Sequence, residues 1–72
     1  MDASSTRERL ERVFGKDRVA SADLFWLIHV VNAHLAQMSE EGQISPDVDI
    51  RDVAIGLAVE IENYYKKEQS CT

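Results

Sequence analysis

The chain has one cysteine, one proline and three glycines among its 72 residues, and each scarcity excludes something. Cys71 alone cannot close an internal disulfide. One cysteine and two histidines are too few ligands for a usual structural zinc site. The three glycines fall at the ends of, or inside, apolar periodic segments and make no phosphate-cradling loop. Long hydrophobic runs are missing too. The longest covers residues 24–28, whereas a membrane helix needs about 20 apolar residues. The opening Met-Asp-Ala-Ser-Ser-Thr lacks the apolar core of a signal peptide. Period-two alternation goes no further than Val48 and Ile50, so no strand is expected. Finally, residues 19–50 contain no Lys or Arg.

What is present points to one small folded domain spanning residues 1–72. Hydrophobic residues make up 44% and charged residues 29%, ordinary globular values that exclude a wholly disordered chain. A chain of this size buries roughly 60% of the surface its unfolded form exposes, and natural domains so small usually have a disulfide, a metal or a partner. With the first two excluded, self-association or a partner is the expected support. Net charge is −5. Residues 1–18 carry five basic against four acidic side chains, and residues 51–72 three against four. The middle carries five acidic and no basic ones, densest over residues 40–52. Nucleic-acid binders usually present a basic face, so direct nucleic-acid binding is not expected. A soluble chain in a reducing, cytoplasmic setting is.

Three segments have helical spacing. Ser5 with Glu8 matches a capping box, Leu10, Val13 and Phe14 form a stripe, and Gly15 suits a left-handed cap. This predicts a helix over about residues 6–14. The second helix is expected after Ser21 as N-cap, with Asp23 in its first turn, and to end at Gly42. Leu24, Leu27, Ile28, Val31, Leu35 and Met38 give its main stripe. Phe25, Trp26 and Val30 occupy a second face, so this helix should be central. A connector containing Pro46 follows, pinned to the core by Ile44 and Val48. The third helix starts after Asp49 and runs to about residue 67 on Ile50, Val53, Ala54, Leu57, Ile61 and Tyr64. Residues 1–4 and 68–72 are expected to fray. The fold class is therefore all-α, a three-helix domain with two long helices as an antiparallel hairpin and a short N-terminal helix across them. The expected core is Leu10, Val13, Phe14, Leu24, Leu27, Ile28, Val31, Leu35, Val53, Leu57 and Ile61.

Chemistry-bearing patterns are sparse. His29 and His34 are five apart, which turns a helix by about 140° net, so they cannot share a metal from one helix. The acids from Asp47 to Asp52 miss the calcium-loop pattern, having Arg51 and Asp52 where a ligand and a glycine belong. Cys71 lies too near the end for a prenylation box. No serine–histidine–acid set can be assembled. No catalytic residue, cofactor, metal or enzyme activity is expected.

Partner-binding candidates are the adjacent aromatics Phe25 and Trp26, which point about 100° apart so that one is exposed in a monomer, and the acids Glu40, Glu41, Asp47, Asp49 and Asp52. Ala54, Gly56 and Ala58 would let another backbone approach, either within the chain or at a dimer interface. Arg9, Arg12 and Lys16 lie at i, i+3 and i+7 as the one basic cluster, either a solvated face or a phosphate contact. Leu10-Glu11-Arg12-Val13, the later Leu35-Ala36 and the total length resemble the small Hha-type modulators that bind nucleoid proteins. The overlap is a handful of letters with a gap. Ala54-Ile55-Gly56-Leu57 departs from that family, and no functional residue carries over.

The leading expectation is a small acidic, non-enzymatic adaptor or regulator acting through protein–protein contacts as a homodimer. The alternative is an inhibitor or modulator of a nucleic-acid-binding protein, of the anti-CRISPR or nucleoid-modulator type. Its acidic patch would occupy a basic groove meant for phosphate.

Overall fold

The computed structural model describes residues 3–70. It has four helices and, among those residues, no strand: α1 (Ala3–Phe14), α2 (Lys16–Ala20), α3 (Leu24–Glu40) and α4 (Ile50–Ser70). The long helices α3 and α4 pack against each other as the expected hairpin, and α1 packs on the adjoining α2 and on α4 more than on α3. The molecule is a short rod of 42 × 20 × 19 Å.

The helix ends explain most of the local chain path. Gly15 has φ +95° and its amide donates to the Glu11 carbonyl at 2.9 Å, so α1 stops there. The chain then re-enters a helix at once, and the single turn of α2 places Val19 fully inside the core. This turn is absent from the sequence reading, and it moves the next cap. Ser21 ends α2, its hydroxyl donating to the Arg18 carbonyl at 3.3 Å. Asp23 is the true N-cap of α3, its carboxylate accepting from the Trp26 amide at 2.7 Å. At the far end, Gly42 takes φ +79°. Its amide donates to Ser39 and that of Gln43 to Met38, the paired bonds of a Schellman cap. Asp49 caps α4 as expected, accepting from the Arg51 and Asp52 amides at 3.1 and 3.4 Å.

Other boundaries differ. Helix α1 begins at Ala3, so Ser5 and Glu8 lie exposed inside it and form no capping box. Ala3 packs on the core and Thr6 is buried, so tertiary contact holds the first turn. Helix α4 continues to Ser70, through the 68–70 part of the stretch expected to fray. Met1, Asp2, Cys71 and Thr72 lie outside the described residues.

The core gathers Leu27, Val30, Val31 and Leu35 of α3, Ala54, Leu57, Ala58, Ile61 and Tyr65 of α4, Leu10 of α1, Val19 of α2 and Ile44 of the connector. Each fully buried Leu or Ile contributes about 1.5–3 kcal/mol of burial free energy. Leu24, Ile28 and Val53 pack on this cluster while partly exposed. Val13 and Phe14 do not belong to it: they are 61% and 45% exposed. Helix α1 leans on α4 instead of bridging the hairpin, so its core stripe is Ala3, Thr6 and Leu10 and the next turn overhangs. Val48 is likewise exposed, leaving Ile44 alone to pin the connector.

Candidate functional site

The lean of α1 leaves an open groove between α1 and α3. Its volume is about 550 Å³. Arg9, Leu10, Val13 and Phe14 form one wall and Trp26, His29, Val30, Ala33, His34 and Gln37 the other. These positions follow from helical geometry. At 100° per residue, Trp26, Val30, Ala33 and Gln37 share one strip of α3 beside the buried Leu27 stripe. On α1, Arg9 and Val13 fall on the groove side of Leu10, and Glu11 falls on the other. One end is closed by aromatic contact. The Phe14 and Trp26 rings meet edge to face at 5.1 Å between centroids, and the Arg18 guanidinium covers the Trp26 ring at 4.0 Å.

The groove wall is held by a polar cluster on the opposite side of α1. Arg7 donates to Glu11 at 3.0 Å, and the Tyr65 hydroxyl donates to the same carboxylate oxygen. Arg7 also lies 4.0 Å from the centre of the Tyr64 ring. The Tyr65 bond, with Arg7 adding to it, holds the Glu11 carboxyl below its usual range although partial burial opposes this. Burial, reinforced by the Glu11 carboxylate, raises the Tyr65 phenol far above its ordinary value. Within the groove, burial and the nearby Arg9 cation lower the His34 pKa, with Glu41 opposing.

No protein-family model, curated protein or solved structure matches the chain. The likeness to nucleoid-protein modulators therefore stays a matter of a few letters, and the site is read from its own geometry.

Of the two adjacent aromatics, the structure leaves one exposed, as their separation of about 100° implies. Trp26 is partly buried and lines the groove. Phe25 stands 82% exposed on the outer side of α3, outside the groove lining. Glu40, Glu41, Asp47, Asp49 and Asp52 are all exposed at the connector end of the hairpin. Their carboxylates are not equally available: Asp49 caps α4, and Glu41 accepts from the Gln43 side chain at 3.3 Å. Ala54 and Ala58 require a correction as dimer-interface residues. Both are fully buried in the chain's own core, because they lie on the stripe that α4 turns inward. Gly56 points outward, and a Cβ there would meet nothing within 4 Å, so it serves no close packing inside the chain. Ile55 and Val59 flank it at 40% and 37% exposure.

Among the described residues no cluster of His, Cys, Asp and Glu is arranged to hold a metal, and no helix is long and apolar enough to cross a membrane. Sequence reading missed Val13, Phe14, His29 and His34 as groove residues. The available signal was the second apolar face of α3, at Trp26 and Val30, which needs a cover that one short helix does not fully provide.

Proposed function

We propose that the chain is a small non-enzymatic adaptor or regulator that acts by holding another protein in the α1–α3 groove. The carrying observation is the overhang of Val13 and Phe14 beside Trp26 and Val30, an open apolar seam next to the closed core. Exposed aromatic and aliphatic anchors beside a cleft are the usual source of interface affinity. A homodimer remains part of the proposal. With Ala54 and Ala58 sealed inside the chain, its contact is assigned to Ile55, Gly56 and Val59 on the outer stripe of α4. The setting is proposed to be the cytoplasm.

A second reading is favoured by the exposed acids Glu40, Asp47 and Asp52 at the connector end, which would face the basic groove of a nucleic-acid-binding protein. One experiment separates the two. Wild type, Val13→Glu, and the triple variant Glu40→Lys, Asp47→Lys, Asp52→Lys are used as baits in nuclease-treated lysate of the native host. A stoichiometric protein lost only with Val13→Glu supports the groove. One lost only with the triple variant, and more weakly retained at high salt, supports the acidic end. A protein retained equally by all three baits overturns both readings. Light scattering of wild type against Ile55→Glu tests the dimer, and a strict monomer in both refutes it.

A further inference from the structure

The groove's charge distribution narrows what fits it. Its polar lining consists of Arg9, His29, His34 and Gln37, with no carboxylate. Arg12 is exposed on α1 outside the lining, and Arg18 of α2 marks the closed end above Trp26. Of the acids adjacent in sequence to these cations, Glu11 turns away and is bonded by Arg7 and Tyr65, while Glu8 and Asp17 are exposed outside the groove lining. Glu41 stands beyond the opposite end, where its charge faces His34 and its carboxylate accepts from the Gln43 side-chain amide. A chain of net charge −5 thus carries a seam that is apolar on its floor and cationic on its edge.

We propose that this groove receives an amphipathic helix of another protein, with an apolar stripe on one side and acidic side chains along its flank. The inference rests on the groove reading given above and adds the chemistry of the partner. The α3 wall from Trp26 to Gln37 rises about 17 Å at 1.5 Å per residue, or three turns. That length matches an incoming helix presenting apolar residues at i, i+3 or i+4, and i+7. Val13, Trp26 and Val30 take those side chains, and Arg9 on the wall with Arg18 at the closed end meets the acidic flank. A second copy seated by two-fold pairing of grooves would bring these cations against their own counterparts, which repels. The concave seam between two helices also suits a rod better than a flat surface.

The test is an unbiased selection. A displayed library of helical peptides, with flank positions varied among Glu, Lys, Gln and Ser, is panned on the full chain. It is counter-selected on Val13→Glu and, separately, on Ala33→Glu. Both substituted positions are exposed, and circular dichroism confirms that each variant is folded. Enriched peptides are expected to carry an apolar i, i+3/i+4, i+7 stripe and a net negative flank. Exchanging the flank Glu for Lys should weaken binding at least tenfold, and Arg9→Glu with Arg18→Glu should reverse that preference. Enrichment of neutral or basic flanks overturns the acidic assignment while leaving the groove reading intact. Absence of any peptide that depends on Val13 overturns the helix assignment. If the lysate experiment still retains a partner through Val13, the groove reading survives that failure. A wild-type dimer dissociated by Val13→Glu would instead seat a second copy in the groove.

Discussion

Tyr65 follows Glu11 by 54 positions in sequence, and its hydroxyl bond to that carboxylate ties the last helix to the first. Tyr65→Phe removes the hydroxyl, keeps the ring in the core and leaves Glu11 paired with Arg7. Hydrogen bonds to charged groups contribute about 1.5–3 kcal/mol, and urea denaturation at neutral pH should show a loss of about that size. The same carboxylate makes the fold acid-sensitive. Its native pKa lies below the unfolded one, so the stability it contributes is complete above the unfolded value, about 4.3. It disappears as pH falls through the native value. His34 acts in the same direction at milder acidity. Its native pKa is also depressed, so the unfolded chain takes up the proton first, and stability begins to fall as pH drops through about 6.5. Urea midpoints followed from pH 7.5 to 3 should therefore decline in two steps in wild type. His34→Gln should lack the upper step, and an unchanged upper step would assign it elsewhere.

Among the elements, the glycines sort by backbone geometry. Gly42 holds a left-handed conformation that closes the α3 cap, and replacing it with Ala should cost about 1–2 kcal/mol. Gly56 lies inside α4 with open space around it, so Gly56→Ala should stabilise by up to about 1 kcal/mol. Thermal unfolding followed by circular dichroism reads both, and opposite signs are expected. The same elements show how far the sequence could be read. The long helices were legible because Leu27, Val31 and Leu35, and Leu57 and Ile61, repeat at helical spacing over enough turns to be distinctive. Gly42 and Asp49 marked their ends through local chemistry that tertiary contacts do not override. Helix α2 was not legible, because five residues carry no measurable period. Its presence in turn displaced the cap from Ser21 to Asp23. The groove was not legible either. Val13 and Phe14 have the right spacing for a core stripe, and only the sideways placement of α1 on α4 leaves them outside. Arg7 and Glu11 pair locally at i,i+4, but the Tyr65 bond to Glu11 that ties α1 to α4 crosses the chain and leaves no local pattern. The inward stripe of α4 was legible at Ala54, Leu57 and Ile61, whereas the small residues Ala54, Gly56 and Ala58 fitted either close packing within the chain or a dimer interface, and only the fold separates buried Ala54 and Ala58 from outward Gly56.

Across the whole molecule, charge and packing are both unevenly distributed. Glu40, Glu41, Asp47, Asp49 and Asp52 gather at the connector end, whereas Arg9 lines the groove and Arg18 covers its closed end. A protein that is net acidic can therefore still present a cationic edge to a partner, a distinction that the total of −5 hides. Packing is uneven in the same way: α3 and α4 face each other along a connected hairpin, whereas α1 reaches α4 across nearly the full sequence. Contacts close in sequence form before distant ones, because distant ones must first overcome a larger loop-closure entropy. The hairpin should assemble first and α1 dock afterwards. Stopped-flow measurements should then separate two buried leucines: Leu10→Ala should speed unfolding with little effect on the folding rate, and Leu35→Ala should slow folding. The leaning helix that creates the groove thus gives the groove a place in time. The proposed partner's surface is completed at the last step of folding and erased at the first step of unfolding, while the hairpin beneath it still stands.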